Sequence, residues 1–235
     1  MKSNPVVKDA LAGFKENELI VASKLYKEKL SSQIGEAAYY KTLQRMCEAG
    51  ELVKIAKGTY HLPKVSKYGI VPPSEKEIIS AFTENGTGTV VGYSLYNELN
   101  LTTQISKTVT VMSSALESLT KSIRNVVVYQ VPLEFSKEIT SMVHGLEVLQ
   151  NFNTIQDINY SAFLTYTKRL ADSYSTGAFE EIASAKAYKK STISFLREIL
   201  NYYQVEHNLN EYLSTLSVYK HPKMEELYAA TRIHN

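Results

Sequence analysis

The order of patterns between residues 16 and 63 constrains the fold more than any other feature of this chain. An apolar helical repeat covers about residues 19–26, and a polar turn follows over 27–35. A second helical repeat runs over about 36–49, and a glycine follows it. Two helices joined by a short turn are therefore predicted at the start of the chain.

After the second predicted helix, the pattern changes from helical to alternating. The alternating residues form two short runs on either side of a basic turn: Leu52, Val53 and Ile55 before it, and Tyr60 and Leu62 after it. The pair Lys57-Gly58 supplies the turn, and Pro63 ends the segment. Helix, turn, helix, glycine stop and small hairpin is the order of a winged helix–turn–helix. The sequence therefore predicts a DNA-binding head with Gly58 at the tip of its wing.

Turn signals and composition divide the chain into three predicted domains. The head covers residues 1–65, and a linker that contains Gly and Pro follows over about 66–73. Residues 74–155 alternate between helical and extended patterns, and residues 156–235 are helical in pattern. The predicted fold class is α+β, with an N-terminal winged helix–turn–helix, a small α/β middle domain and a helical C-terminal region.

Local signals place several elements within the second and third domains. Runs of β-branched residues predict strands at 89–91, 109–112 and 126–129 of a small mixed or antiparallel sheet. The pair His144-Gly145 predicts a turn between two short apolar segments. Polar or proline residues predict four helix starts: Ser74 with Glu77, Lys189, Asn208 with Glu211, and Pro222.

Charge is distributed unevenly along the chain. Residues 1–68 carry 12 Lys and Arg against 7 Asp and Glu, whereas residues 69–235 carry 14 against 17. A basic head suits an anionic partner such as nucleic acid, although a charge balance of this size is also common among soluble proteins. The only cysteine, Cys47, excludes an internal disulfide framework and a cysteine-built zinc site. With no apolar signal core at residues 1–5 and no apolar run long enough for a membrane helix, a cytoplasmic protein is expected.

The second predicted helix supplies the candidate DNA contacts. Leu43, Met46 and Cys47 share one face at helical spacing and are expected to pack inward. The DNA-binding residues predicted on the remaining surface and beside the wing turn are Tyr39, Tyr40, Lys41, Gln44, Arg45, Lys54 and Lys57. Lys and Arg neutralise phosphates, and Gln and Arg pair with base edges in the major groove. The alternative is a solvated helix face in a protein-interaction module.

Catalytic and metal-binding patterns are weak in this sequence. The five histidines are scattered, and none has a second histidine four residues away. Residues 86–89 read Gly-Thr-Gly-Thr but lack the lysine of a phosphate-binding loop and precede a predicted strand. We therefore expect no enzyme activity, no cofactor and no metal site. The 17 tyrosines, many in the last domain, are equally consistent with helical cores and with an interaction surface.

Two segments resemble one known family. Residues 45–55 and 57–63, which read RMCEAGELVKI and KGTYHLP, are similar to the head of AbiEi-type antitoxins. In that family a helix ends in Gly, an acidic or basic residue precedes Leu or Ile, and a basic residue, Gly, an aromatic residue and Pro follow. Residues 92–101, GYSLYNELNL, resemble a second family stretch, so the resemblance covers about residues 10–150.

The resemblance implies a function. Such antitoxins counteract nucleotidyltransferase-like toxins of type IV toxin–antitoxin, phage-defence systems without a stable complex, and their winged helix represses their own promoter. This chain departs from the family in its Tyr-rich second helix, where Lys41 and Arg45 are the only cations, and in its long helical tail. The alternatives are a winged-helix transcription factor whose later domains bind an effector or dimerise, and an interaction module without DNA contact.

Overall fold

The computed structural model describes residues 5–233 and has a mixed α+β architecture. A head of three helices and three strands forms the N-terminal part, and a central sheet and a helical layer follow. The head elements are α1 (Pro5–Leu11), β1 (Leu19–Val21), α2 (Ala22–Leu25), α3 (Glu36–Glu48), β2 (Val53–Ala56) and β3 (Thr59–His61). The strands form an antiparallel sheet of order β1-β3-β2. A π-helical turn, Tyr26–Leu30, continues α2.

Residues 19–21 form a strand, so the helix predicted over 19–26 is wrong in its first part. All three residues of β1 are buried because the strand lies between two cores. Ile20 packs into the core of the head, whereas Leu19 and Val21 pack against the central sheet. Successive strand side chains point to opposite faces, and here both faces are covered. A fully apolar segment of this kind carries no period that separates helix from strand.

A small hairpin occupies most of the predicted linker. Strands β4 (Lys64–Ser66) and β5 (Gly69–Val71) pair with each other, and most of their residues are exposed. Helix α4 (Glu75–Thr83) then begins with the predicted capping box, which is confirmed. The Ser74 backbone N–H donates to the Glu77 carboxylate at 2.6 Å, and this bond lowers the pKa of Glu77.

The central sheet is mixed and has four strands in the order β6-β7-β9-β8. The strands are β6 (Gly88–Val91), β7 (Val109–Ser113), β8 (Thr120–Ile123) and β9 (Val126–Gln130). Strands β7 and β9 are parallel, and the other pairs are antiparallel. The three predicted strands and the predicted mixed sheet are therefore confirmed.

The two faces of the central sheet pack against different parts of the chain. One face, with Val111 and Val128, packs against Ile78 and Phe82 of α4 and against β1 of the head. The opposite face packs against α5 (Tyr93–Glu98) and the later helices. The head and the central sheet therefore share a buried cluster. Each would expose apolar side chains on this side if the other were removed.

Residues 144 and 145 lie inside a continuous helix, α6 (Lys137–Asn151), so the turn predicted there is wrong. A Cβ atom on Gly145 would lie 2.5 Å from a methyl carbon of Leu170 in the helix Tyr160–Asp172, so glycine permits a close approach of the two helices. The His144 ring forms a 2.7 Å hydrogen bond with the Thr89 hydroxyl of β6. Both residues therefore have packing roles, whereas the local sequence indicated a turn.

The buried His144 predicts a specific loss of stability in acid. Burial lowers the pKa of His144 from 6.5 to about 4, so the folded state does not take up the proton that the unfolded chain binds below pH 6.5. We expect about 3 kcal/mol of stability to be lost between pH 6.5 and pH 4 through this residue. Denaturant unfolding of the parent and His144→Gln across this range measures the difference. If the free energy of unfolding changed with pH equally in the parent and in His144→Gln, then His144 would protonate in the folded protein as it does in the unfolded chain.

The last part of the chain forms a helical layer over α6. Its helices are α7 (Tyr160–Asp172), α8 (Thr176–Ala185), α9 (Lys190–Tyr202) and α10 (Met224–Ile233). The helix predicted from Lys189 is confirmed, and the last helix begins two residues after Pro222. The helix predicted after Asn208 is only a short 3-10 turn, Leu209–Tyr212, and the Asn208 side-chain amide donates to Glu180 of α8. Among residues 5–233, no helix combines the length and hydrophobicity needed to cross a membrane.

Candidate nucleic-acid interface

Helix α3 has one buried and one exposed face. Its N-cap is Gly35, and its first turn carries Glu36, whose charge is favourable near a helix N-terminus. Leu43 and Met46 are buried in the core of the head, as their spacing predicted. Cys47 is half-buried at the margin of the same core, where burial raises its pKa. The predicted inward direction is therefore confirmed for Leu43 and Met46.

Tyr39 belongs to the buried face, so the prediction that it lies on the outer face is wrong. It lies one helical turn before Leu43 and is fully buried. Its hydroxyl donates to the Ala22 carbonyl at 3.0 Å, and its ring stacks on Tyr26 at 5.3 Å. Burial raises the pKa of Tyr39. Tyr39 thus joins α3 to the preceding helix, and its side chain is not accessible to DNA.

The exposed face of α3 is polar and carries both signs of charge. Lys41 and Gln44 are exposed, and Gln44 donates to the Glu48 carboxylate at 3.0 Å. Arg45 and Tyr40 are half-buried on the two flanks of this face. The structure therefore brings four of the five predicted helix residues to one accessible surface. Gln44 must exchange its bond to Glu48 for any contact with a base.

The hairpin formed by β2 and β3 lies beside α3 and is basic. Lys57 and Gly58 form its turn, and Gly58 has φ +68°, which favours glycine. Lys54 and Lys57 are exposed. The Ala22 backbone N–H donates to the Gly58 carbonyl at 3.0 Å, so the turn is fixed to the start of α2. The position of both lysines relative to α3 is therefore defined.

A cleft of about 700 Å³ separates the basic hairpin from β8 of the central sheet. Its lining contains Lys54, Lys57 and a lysine that the sequence did not indicate, Lys121. The Lys121 ammonium donates to the Thr59 hydroxyl of β3 at 3.0 Å, and burial lowers its pKa. These two residues are 62 positions apart, so no local pattern could reveal their contact. We refer to Lys54, Lys57 and Lys121 as the lysine cleft.

In the part of the chain that the structure describes, one acidic residue lines the lysine cleft, and it is paired with a residue outside the cleft. Glu117 forms a 2.7 Å ion pair with Lys27, from the segment that joins α2 and α3. The hydrogen bond from Lys27 lowers the pKa of Glu117. The Ser23 hydroxyl also lines the cleft. Lysine ammonium groups and hydroxyl groups are donors that bind phosphate oxygens.

Comparisons with known proteins give one positive finding. The model of DUF6088, described as a family of unknown function, matches residues 17–139, which is more than half of the 235-residue chain. No curated protein and no solved structure matches the chain. The matched segment begins just before β1 and ends in the first turn of α6. It therefore contains α3, the basic hairpin and the lysine cleft.

Proposed function

The chain belongs to the DUF6088 family, and we propose that it is a DNA-binding repressor with a winged helix–turn–helix at its N-terminus. The observation that carries this proposal is the accessible face of α3, with Lys41 and Gln44 exposed and Arg45 half-buried at its edge, beside a basic β-hairpin. The order of helices and strands in the head, with β1 between the first two helices and the sheet order β1-β3-β2, supports the winged helix. In this reading α3 is the recognition helix and the β2–β3 hairpin is the wing.

The two groups of polar residues have different tasks. Gln44 and Arg45 read base edges in the major groove, where bidentate contacts distinguish base pairs. Lys41, Tyr40 and the lysine cleft contact phosphates, which positions the head without reading sequence. Lys121 extends this phosphate-binding surface from the head onto the central sheet. The DNA contact then involves both parts that share the buried cluster around Ile78 and Phe82.

The biological role that we propose is that of an antitoxin and autorepressor of a type IV toxin–antitoxin system. This part rests on the resemblance of residues 45–63 and 92–101 to AbiEi-type antitoxins. The protein then represses its own promoter in the cytoplasm and counteracts a nucleotidyltransferase-like toxin without a stable complex. It acts by binding and not as an enzyme. The experiments must distinguish this role from two alternatives: a transcription factor without antitoxin activity, and an interaction module without DNA contact.

Binding to the DNA upstream of its own reading frame is the decisive test. A fluorescence-anisotropy titration of the full chain, with upstream DNA and with unrelated DNA of the same length, measures affinity and specificity at two salt concentrations. We expect tighter binding to the upstream DNA and a steep decrease in affinity with salt, because phosphate contacts release counterions. Salt-insensitive or undetectable binding would favour the interaction module, and equal binding to both DNAs would contradict autorepression.

The lysine cleft predicts a change in salt dependence that is independent of sequence. Lys57→Ala and Lys121→Ala should each weaken binding similarly on both DNAs and reduce the slope of log affinity against log salt by about 1. Lys220→Ala removes an exposed lysine from the C-terminal region and serves as the control, with no change in slope. If Lys121→Ala had the same slope of log affinity against log salt as the parent, Lys121 would not contact phosphate, and the DNA-binding surface would end at the wing.

A further inference from the structure

A second cavity, of about 510 Å³, lies on the opposite face of the central sheet from the head. Helix α6 crosses this face near β6, whereas Thr120 and Ser122 of β8 and Tyr129 of β9 remain exposed. The cavity opens between α6 and this uncovered half of the sheet. Its volume lies within the range of about 300–1,000 Å³ that is typical of small-molecule sites.

An ion pair lies in the wall of this cavity. The Lys186 ammonium, just after α8, donates to the Glu147 carboxylate of α6 at 3.0 Å. Glu147 is only 7% exposed, and Lys186 also lies over the Tyr188 ring at 4.5 Å. Charged groups are rarely placed in so apolar a surrounding, since their desolvation offsets most of the attraction between them. A carboxylate beside an ammonium presents an acceptor and donors, side by side, to the cavity.

The remaining lining is aromatic and apolar with a few unused polar groups. Tyr93 and Tyr96 form one end, with ring centroids 5.5 Å apart, and Tyr129 lies at the mouth with 44% of its surface exposed. Within residues 5–233, the side chains of Thr110 and Gln130 form no hydrogen bond with the protein. Aromatic walls and a small number of converging polar groups are the usual composition of a ligand site.

The charges of the lining limit the class of ligand. Among the described residues that line the cavity, Glu147 and Lys186 alone are charged, and they neutralise each other. A phosphate or carboxylate ligand would find no unpaired cation there, and a hydrocarbon would leave the ion pair desolvated without new hydrogen bonds. A neutral ring that carries a donor and an acceptor on adjacent atoms satisfies the pair and stacks on tyrosine.

From this geometry we propose that the cavity binds a nucleoside, with its base between the sheet and α6 and the donor–acceptor edge of the base on Glu147 and Lys186. The ribose then lies toward the open mouth near Tyr129. The site is distinct from the surface proposed for DNA, which lies on the other face of the sheet. Nucleoside binding and DNA binding can therefore fail separately.

The test uses the full chain and four probes, adenosine, guanosine, cytidine and uridine, with ribose as the control compound. We expect at least one nucleoside to raise the Tm progressively with its concentration, because a ligand that binds only the folded state stabilises it. Ribose should leave the Tm unchanged. Absence of a shift with all four nucleosides, or an equal shift with ribose, would overturn the proposal.

Two variants locate the site. The double substitution Glu147→Leu with Lys186→Met removes both charges without leaving one unpaired, and it should weaken nucleoside binding tenfold or more in calorimetric titrations. Its matched control is Lys168→Met with Asp172→Leu, which removes an exposed ion pair of α7 and should not alter binding. Tyr129→Ala removes a half-exposed ring and should weaken binding several-fold with little effect on folding. Unchanged affinity in both cavity variants would place the nucleoside elsewhere.

Discussion

Gly88→Ala is expected to destabilise the protein by about 3 kcal/mol or more, because the added methyl group would overlap main-chain atoms. A Cβ atom on Gly88 would lie 2.2 Å from the Phe82 carbonyl oxygen and 2.4 Å from the Met112 carbonyl oxygen. Both atoms belong to the main chain, so no side-chain rotation can relieve the contact. Relief requires that β6 move away from β7 or from the end of α4. Urea unfolding monitored by circular dichroism measures the loss.

The control for Gly88 is Gly177→Ala in α8. A Cβ atom there has no neighbour within 4 Å, and alanine favours helix over glycine by about 0.5–1 kcal/mol. We expect this variant to be at least as stable as the parent. A Gly88→Ala protein that unfolds at the same urea concentration as Gly177→Ala would show that β6 accommodates a side chain at this position.

Reversal of the two cations of α3, Lys41→Glu with Arg45→Glu, is expected to weaken binding to the upstream DNA about a hundredfold or more. Each lost contact to a base or phosphate contributes about 1–3 kcal/mol on a specific site, and the introduced carboxylates repel phosphates. Lys41 is exposed and Arg45 half-buried at the edge of α3, so both reversals leave the buried face of the helix intact. Anisotropy titrations together with unfolding curves separate lost binding from lost folding.

The matched control reverses two exposed lysines outside the head, Lys137→Glu with Lys220→Glu, which changes the net charge by the same amount. We expect a much smaller decrease, through long-range electrostatics alone. We propose that the antitoxin activity resides in the middle domain, residues 74–155, because this domain contains the second stretch that resembles AbiEi-type antitoxins. The α3 variant should therefore still rescue cells that express the cognate toxin. Full-length variants suit this assay better than truncation, since Leu19 and Val21 of the head cover part of the central sheet. If both variants lost DNA binding equally, α3 would not be the DNA-contacting surface. If the α3 variant no longer rescued cells, the antitoxin activity would require the head.

Local sequence patterns correctly predicted the features that depend on contacts within a single helix or strand. The inward direction of Leu43 and Met46 followed from helical spacing, because α3 buries one stripe and exposes the other. The strands around Val111 and Val128 followed from runs of β-branched residues. The capping box of Ser74 followed from four residues of sequence. In each case the determining contacts lie within one element or its first turn.

The sequence thus determined the order of α3, the β2–β3 hairpin and its turn at Gly58, together with the α+β class, because local periodicity and turn chemistry suffice for these. Tertiary structure alone decided which residues around them are accessible. It made residues 19–21 a strand buried on both faces, placed His144 inside a helix against Thr89, and turned Tyr39 toward Ala22. It also brought Lys121 to Thr59 of the β2–β3 hairpin across 62 residues of chain. These outcomes depend on what packs against a segment from elsewhere in the chain, and no window of local sequence contains that partner.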